Sequence, residues 1–358
     1  MQSLPNRGVP ISQREASGER SSTPDWENIH TFLEVVRRGS FRSASDHLGL
    51  SINVLRRRIS DLEHQLGVTL LTRHVDGVRT TAEGAEILTA AQKMELASFG
   101  LIRARDRSNP ALDGEVKLAV TEGLGTFWLA PRLIEFQRAY PRLLVDLNCA
   151  MQSADVLRLQ ADAAVQLTKP ANPDVKIVKL GRLHSMPFAA PSYINVYGAP
   201  RTLEELFKHR VVLQIAEQTA MQEIYDRIAP GIPQIGFVAM RNNVSSAHIW
   251  AISKGAGIGW APTYVHAIGG RMVPIELDLH FAFDIWLTYH PDAARIPRVR
   301  RMIDWIIDSF DGRKFPWFRD EFIHPKDLPQ EYRGAPIIKL FEGFFGAGYE
   351  APACAGNK

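Results

Sequence analysis

The chain reads as an α+β multidomain protein: a small helical head with a β-hairpin wing, one long helix, and then a larger α/β region. Three observations predict this. Leu55, Ile59, Leu62 and Leu66 recur at i, i+4, i+7 and i+11, the spacing of one buried helical stripe, with Arg56, Arg57 and Arg58 between them. Asp76-Gly77, a strong hairpin-turn dipeptide, is flanked by β-prone valines. Beyond Gly114, short strand patterns alternate with helical ones, which argues for an α/β sheet with parallel strands.

Bulk properties bound the function without choosing it. A chain of 358 residues suffices for two or three folding units, each with its own core. The hydrophobic fraction of 45% is ordinary for a soluble globular protein. A net charge of +3 is too small to imply nucleic acid, so that argument must rest on local clusters. Cys149 and Cys354 stand far apart with no CxxC spacing, so neither a zinc ribbon nor a dithiol motif is supported. A disulfide framework is equally unsupported, which fits a reducing, cytoplasmic compartment. No apolar run approaches the ~18–20 residues of a membrane span, and no membrane partner is expected. Residues 1–24 are rich in Pro, Ser, Arg, Glu and Gly without an apolar core, and read as a disordered tail rather than a secretory signal.

The head begins at Asp25-Trp26, with Ile29, Phe32, Leu33 and Val36 at helical spacing. Gly39 stops this helix and Ser40 caps the next, marked by Phe41, Ala44 and Leu48. Leu48-Gly49-Leu50-Ser51 is a tight turn into the arginine helix, so the pair forms a helix-turn-helix. Ser51 is placed as N-cap and Gly67 as the left-handed residue that ends the helix. Consecutive positions turn by about 100°, so the three arginines fan away from the stripe. Such a helix is shaped to enter a polyanionic groove; a solvated charged face is the plainer alternative. The hairpin around Asp76-Gly77 carries Arg73 and Arg79 near its base. Thr80-Thr81-Ala82-Glu83 is a capping box opening a helix from about Ala82 to Arg107. Along it Ile87, Ala91, Met94, Ser98 and Leu101 form a heptad-like seam, expected to dimerise or to pack on the helix's own domain. Asn109-Pro110 and Asp113-Gly114 mark a domain boundary.

In the second region, strands are expected at 115–120, 143–147 and 163–167, with a helix over Trp128–Phe136 and a short one holding Leu157 and Leu159. Gly123-x-Gly125 lacks the third glycine of a dinucleotide loop and the Gly-Lys-Ser/Thr of a P-loop. Backbone N–H groups at this helix start, with Thr121 and Thr126, instead suit a small ligand anion, or a simple N-cap. His184, His209, His248 and His266 lack HxxxH or HExxH spacing, so no metal site is expected. Gln152-Ser153-Ala154 is no nucleophile elbow, and no catalytic residue is assigned. No cofactor is implied. The segment 311–358 holds Phe315-Pro316-Trp317-Phe318, Phe322, Tyr332, Phe341, Phe344-Phe345 and Tyr349, too aromatic for a solvated linker, and should pack on its own domain or on a partner subunit.

Residues 25–84 resemble the DNA-binding domain of LysR-type transcriptional regulators. The matching run is Asp25-Trp26, Phe32, Val36, Gly39-Ser40-Phe41, Ala44, Leu48, Ser51, Ile59, Leu62-Glu63, Leu66-Gly67-Val68, Leu70, Arg73, Thr81 and Gly84. The resemblance implies a winged helix-turn-helix over 25–84 and a linker and dimerisation helix over 82–108. It also implies a two-subdomain, periplasmic-binding-protein-like effector domain over 114–310, with 311–358 as an extension. The run Pro187 to Tyr193 resembles the link between the family's two subdomains, and Gly255 to Pro262 its return segment. Ser51 to Gln65 would then lie in the major groove, with the wing and the second-helix cap on phosphates. The DNA-contacting set so implied is Ser40, Arg42, Ser51, Asn53, Arg56, Arg57, Arg58, Arg73 and Arg79. Ile52, Val54 and Arg56 replace the family's usual small polar residues, and Thr80 a common leucine, so base-reading positions transfer in place and not in identity. Arg56 and Arg57 suit either a bidentate grip on guanine or phosphate contact alone.

In the effector cleft, Thr121, Gln152, Ser153, Thr168 and Asn243 are the polar groups placed by position, at the carboxyl ends of strands. The expected partners are double-stranded DNA, a small-molecule effector, RNA polymerase, and a second copy in a dimer or, by resemblance, a tetramer. The expected function is a sequence-specific transcriptional regulator in which a ligand biases the arrangement of the DNA-bound heads. A solute-binding or enzymatic α/β protein with an incidental head would need an export signal or catalytic constellation. An architectural nucleic-acid binder would leave the strand–helix region without a purpose.

Overall fold

The computed structural model describes residues 23–108, 111–219, 221–268, 272–332 and 334. Residues 1–22, Asn109-Pro110, Phe341, Phe344, Phe345, Tyr349 and Cys354, with the His266 side chain, lie outside the described residues. The chain forms two compact units that divide between Ser98 and Phe99.

The first unit contains α1 (Trp26–Arg38), α2 (Phe41–Leu48), α3 (Ile52–Leu66), β1 (Leu71–His74), β2 (Gly77–Thr80) and the start of α4 (Ala82–Arg107). Its helix ends are set locally. Gly39 and Gly67 each take φ 70°, the left-handed value that stops α1 and α3. The Ser40 hydroxyl accepts the Ser43 N–H at 3.1 Å, and Ser51 accepts that of Val54 at 3.4 Å. The expected spine is buried: Leu55 lies inside with Val35 and Ala44, while Ile59 and Leu62 enter a neighbouring core on which Leu66 packs partly buried. Ile29, Phe32, Leu33, Leu70 and Ala91 complete that core.

The hairpin pairs Leu71 with Thr80 through His74 with Gly77. The Val78 N–H donates to the Gly39 carbonyl at 2.9 Å, which ties the wing to the α1–α2 turn. The capping box expected from Thr80 to Glu83 is displaced by one residue. Thr80 is still paired in β2, so Thr81 becomes the cap. Its Oγ1 accepts the Gly84 N–H at 2.8 Å and donates to the Thr69 carbonyl at 2.6 Å. Along α4, Ile87 and Ala91 pack on the head's own core, whereas Met94 and Leu101 are 44% and 74% exposed.

The second unit contains β3 (Gly114–Thr121), β4 (Leu143–Ala150), β5 (Ala163–Gln166), β6 (Lys176–Ala189), β7 (Val211–Gln214), β8 (Val238–Asn242), β9 (Gly259–Pro262), β10 (Val273–Pro274) and β11 (Phe281–Tyr289). One sheet runs β10-β6-β11-β5-β3-β4, with β9 also on β6, and β7 pairs β8 separately. Parallel pairing holds for β3 with β4 and β5, and for β7 with β8. The pairs of β11 with β5 and β6, and of β6 with β9 and β10, are antiparallel, so the sheet is mixed. The cause is the long strand β6. Its first part pairs β11, and its end, from Ser185 to Ala189, pairs β9 and β10. It therefore runs from one lobe into the other. Each lobe has its own core, one around Val116, Leu118 and Phe127, the other around Tyr193, Leu206, Val211 and Phe237.

The expected short helix at Leu157 and Leu159 is instead a turn, with Leu159 at φ 57°. The Asp155 carboxylate accepts the Leu157 and Arg158 N–H groups at 2.9 and 3.3 Å and so competes with helix formation. The described part of the aromatic extension packs on this unit's core. Phe315, Trp317 and Phe318 are buried, with Trp317 edge-on to Trp128 at 5.5 Å. Among the described residues no helix is long and apolar enough to cross a membrane.

Candidate nucleic-acid interface and ligand cleft

The exposed side of α3 is built by its own amphipathy. With Leu55, Ile59 and Leu62 turned inward, Asn53, Arg56 and Arg57 are exposed near a helix start capped by Ser51. Among the described residues neither Arg56 nor Arg57 has an acidic partner. The Arg56 and Arg73 guanidinium groups each lie 5.9 Å from the Phe41 ring centroid, so one aromatic ring braces a cation from α3 and another from the wing. Arg42 is exposed on α2, where Ser40 is half-buried as the cap. Arg58 leaves the expected fan. It turns to α1, with Glu27 at 3.0 Å and Thr31 Oγ1 at 3.3 Å. Arg79 pairs with Asp76 at 2.9 Å, both well exposed, and such a pair contributes only about 0–1 kcal/mol. A phosphate can displace it at little cost.

Between α1 and α4 lies a buried ionic cluster. Arg37 donates to Glu34, and to both carboxylate oxygens of Glu95 at 3.0 and 2.9 Å. Glu34 and Glu95 are 3% and 2% exposed. His30, Glu34 and Glu95 could present ligand atoms to one metal ion. The guanidinium already supplies the positive charge there.

The second unit holds a cavity of about 120 Å³ between its two lobes. Thr121, Leu124 and Phe127 face it from one lobe, and Leu206, Val212 and Phe237 from the other. Of the five effector residues expected from sequence, the structure puts Thr121 in the lining. Gln152, Ser153, Thr168 and Asn243 are exposed and stand outside it. Thr121 is itself committed, since its Oγ1 donates to Gln218 Oε1 at 2.7 Å. Gln218 in turn accepts the Leu167 N–H at 2.9 Å and donates to the Met151 carbonyl at 3.0 Å. Thr121 and Gln218 lie 97 positions apart, and nothing local to either signals the pair. The helix Met221–Ile228, which supplies Ile224, Tyr225 and Ile228 to the lining, has helical apolar spacing that sequence reading passed over.

The helix start expected to receive a ligand anion already has a carboxylate. Glu122 is buried; it accepts the Ser246 N–H at 3.1 Å and the Thr126 hydroxyl at 3.2 Å. Ser245 Oγ, another lining group, accepts from Gln214 Nε2 at 3.0 Å. Burial pushes His248 down to about 4, against the opposing hydrogen bond to the Trp260 carbonyl, so the ring is neutral at pH 7. His184 and His209 likewise have structural partners, the Arg319 carbonyl at 3.0 Å and the Tyr193 hydroxyl at 3.3 Å.

Comparison with known proteins matches both units. A family model described as the LysR substrate binding domain covers residues 109–311, and one for the bacterial regulatory helix-turn-helix protein, lysR family, covers residues 26–85. The chain is 34% identical over 194 residues to an HTH-type transcriptional regulator of Xanthomonas campestris pv. campestris (strain 8004), across 53% of this chain and 55% of that one. It is 29% identical over 307 residues to the HTH-type transcriptional activator TtdR of Escherichia coli (strain K12), across 80% of this chain and 94% of TtdR. The crystal structure of ArgP from Mycobacterium tuberculosis shares the fold with a TM-score of 0.51 at 19% identity, across 80% of this chain and 97% of that one.

Proposed function

The chain belongs to the LysR family of transcriptional regulators, and we propose that it reads DNA with the exposed end of α3 and is governed by a small molecule in the interlobe cavity. The observation that carries the first part is the exposure of Arg56 and Arg57 beside Asn53, with no acidic partner among the described residues, on a helix fixed by its cap and spine. Their guanidinium groups suit a bidentate grip on guanine or a phosphate. Ser40, Arg42, Ser51, Arg73 and Arg79 serve as backbone contacts around them, and Arg58 acts through α1. Residues 25–84 form the reading head in this account, 82–108 the linker helix and 114–310 the effector domain.

The exposed Met94 and Leu101 support pairing of α4 with a second copy. A dimer places two heads on half-sites about one helical turn apart, or a multiple of it. Ligand binding biases the spacing of the heads to the extent that the ligand distinguishes two arrangements. The protein acts in the cytoplasm, as a dimer or tetramer, with RNA polymerase as a further partner. A gel shift on the chain's own upstream DNA tests this. Wild type should form a complex that survives excess nonspecific duplex, and Arg56→Ala with Arg57→Ala should abolish the discrimination. A loss equal across all sequences would mean phosphate contact only. An unchanged complex would refute the assignment of these two residues.

A further inference from the structure

We infer that the cavity takes a small, uncharged and mainly apolar molecule, held by one or two neutral hydrogen bonds, and not a carboxylate or phosphate. This rests on the reading of the cavity as the effector site. Its described lining residues include no Lys, Arg, Asp or Glu. The polar groups among them are neutral hydroxyl, amide and ring N–H groups, those of Thr121, Ser185, Gln214, Ser245 and Tyr264 among them, with His248 uncharged. The rest of the wall is aliphatic or aromatic, with Phe127, Phe237 and Phe283 among its rings.

A buried anion needs a charge partner or several converging donors. Several donors at this end of the cavity are already used, which leaves single hydroxyl and amide groups rather than a converging set. Glu122 takes the N–H of Ser246, at the start of the Ser245–Ser253 helix, and the hydroxyl of Thr126. Gln218 takes the Thr121 hydroxyl and the Leu167 N–H. An anionic ligand would therefore be desolvated beside a resident carboxylate with no cation among the described lining residues to meet it. A neutral ligand meets none of these costs. It gains apolar burial, and Ser185, Ser245 or Gln214 can orient one hydroxyl or carbonyl group.

Matched probes decide the matter on the full chain. Methyl benzoate against benzoate, and 1-naphthol against 1-naphthoate, differ mainly in charge. Titration calorimetry and thermal shift should show the neutral member of each pair binding at least tenfold more tightly and raising Tm. Ile224→Arg sets a cation in the half-buried wall and should narrow or reverse that preference by tenfold or more. Should this variant fail to fold, the wild-type pairs decide alone. Equal or tighter binding of the carboxylates to wild type overturns the inference, as does absence of binding by both neutral probes at millimolar concentration. Operator binding by the same preparation is scored separately, so the regulator reading stands or falls on its own result.

Discussion

Gly77 closes the wing from a backbone angle of φ 137°, with its α-carbon facing the Gly39 carbonyl. A methyl group at this position would collide with that oxygen and disturb the Val78 to Gly39 hydrogen bond. Gly77→Ala should therefore destabilise the head by about 2–3 kcal/mol, seen as a lower urea midpoint. An unchanged midpoint would show that the wing is not held there. A second residue sets a pH limit. His248 titrates at about 4 when folded and 6.5 when free, so the unfolded chain binds the proton more readily between those values. Its contribution is whole above about pH 6.5 and is lost as pH falls toward 4, reaching about 2 kcal/mol of loss by pH 5. Urea midpoints at pH 7 and pH 5 should differ less for His248→Gln than for wild type. Equal differences would contradict the buried neutral ring.

At the level of elements, α1 and α4 are joined through Arg37 and the buried carboxylates of Glu34 and Glu95. Removing Arg37 takes away the cation that Glu34 and Glu95 share, while Arg38 and His47 remain 3.5 Å from Glu34. Arg37→Ala should cost about 3–5 kcal/mol of head stability by chemical denaturation, far more than the loss of the exposed Arg79 pair. The extension acts similarly through packing. Trp317 is 1% exposed among Trp128, Phe315 and Phe318, and Trp317→Ala should cost about 3–5 kcal/mol. These elements also show what sequence can reveal. Gly39, Ser40, Ser51, Gly67 and Asp76-Gly77 are legible because each acts on residues within one or two turns. The spine of α3 is legible because its period is local. The antiparallel role of β6, the turn after Asp155 and the Thr121–Gln218 pair are not. They depend on strand partners, a competing side chain, and a contact across 97 positions. The cavity was legible at one of five expected positions for the same reason: its strand-end threonine could be placed, but not the residues that fill the donors around it.

For the whole molecule, a head with exposed guanidinium groups and a two-lobed α/β unit with an interlobe cavity occur in one chain. The physical requirement for regulation is that a ligand in the second unit has different affinity for two arrangements of the heads. That requirement matters only if the heads discriminate among duplexes. Competition measured by fluorescence anisotropy at moderate salt tests it most directly, with the chain's own upstream duplex labelled and random duplex as competitor. Our account predicts that the upstream duplex competes at least a hundredfold better than the random one, a ratio within the range of specific DNA binders. Equal competition by the two would contradict it.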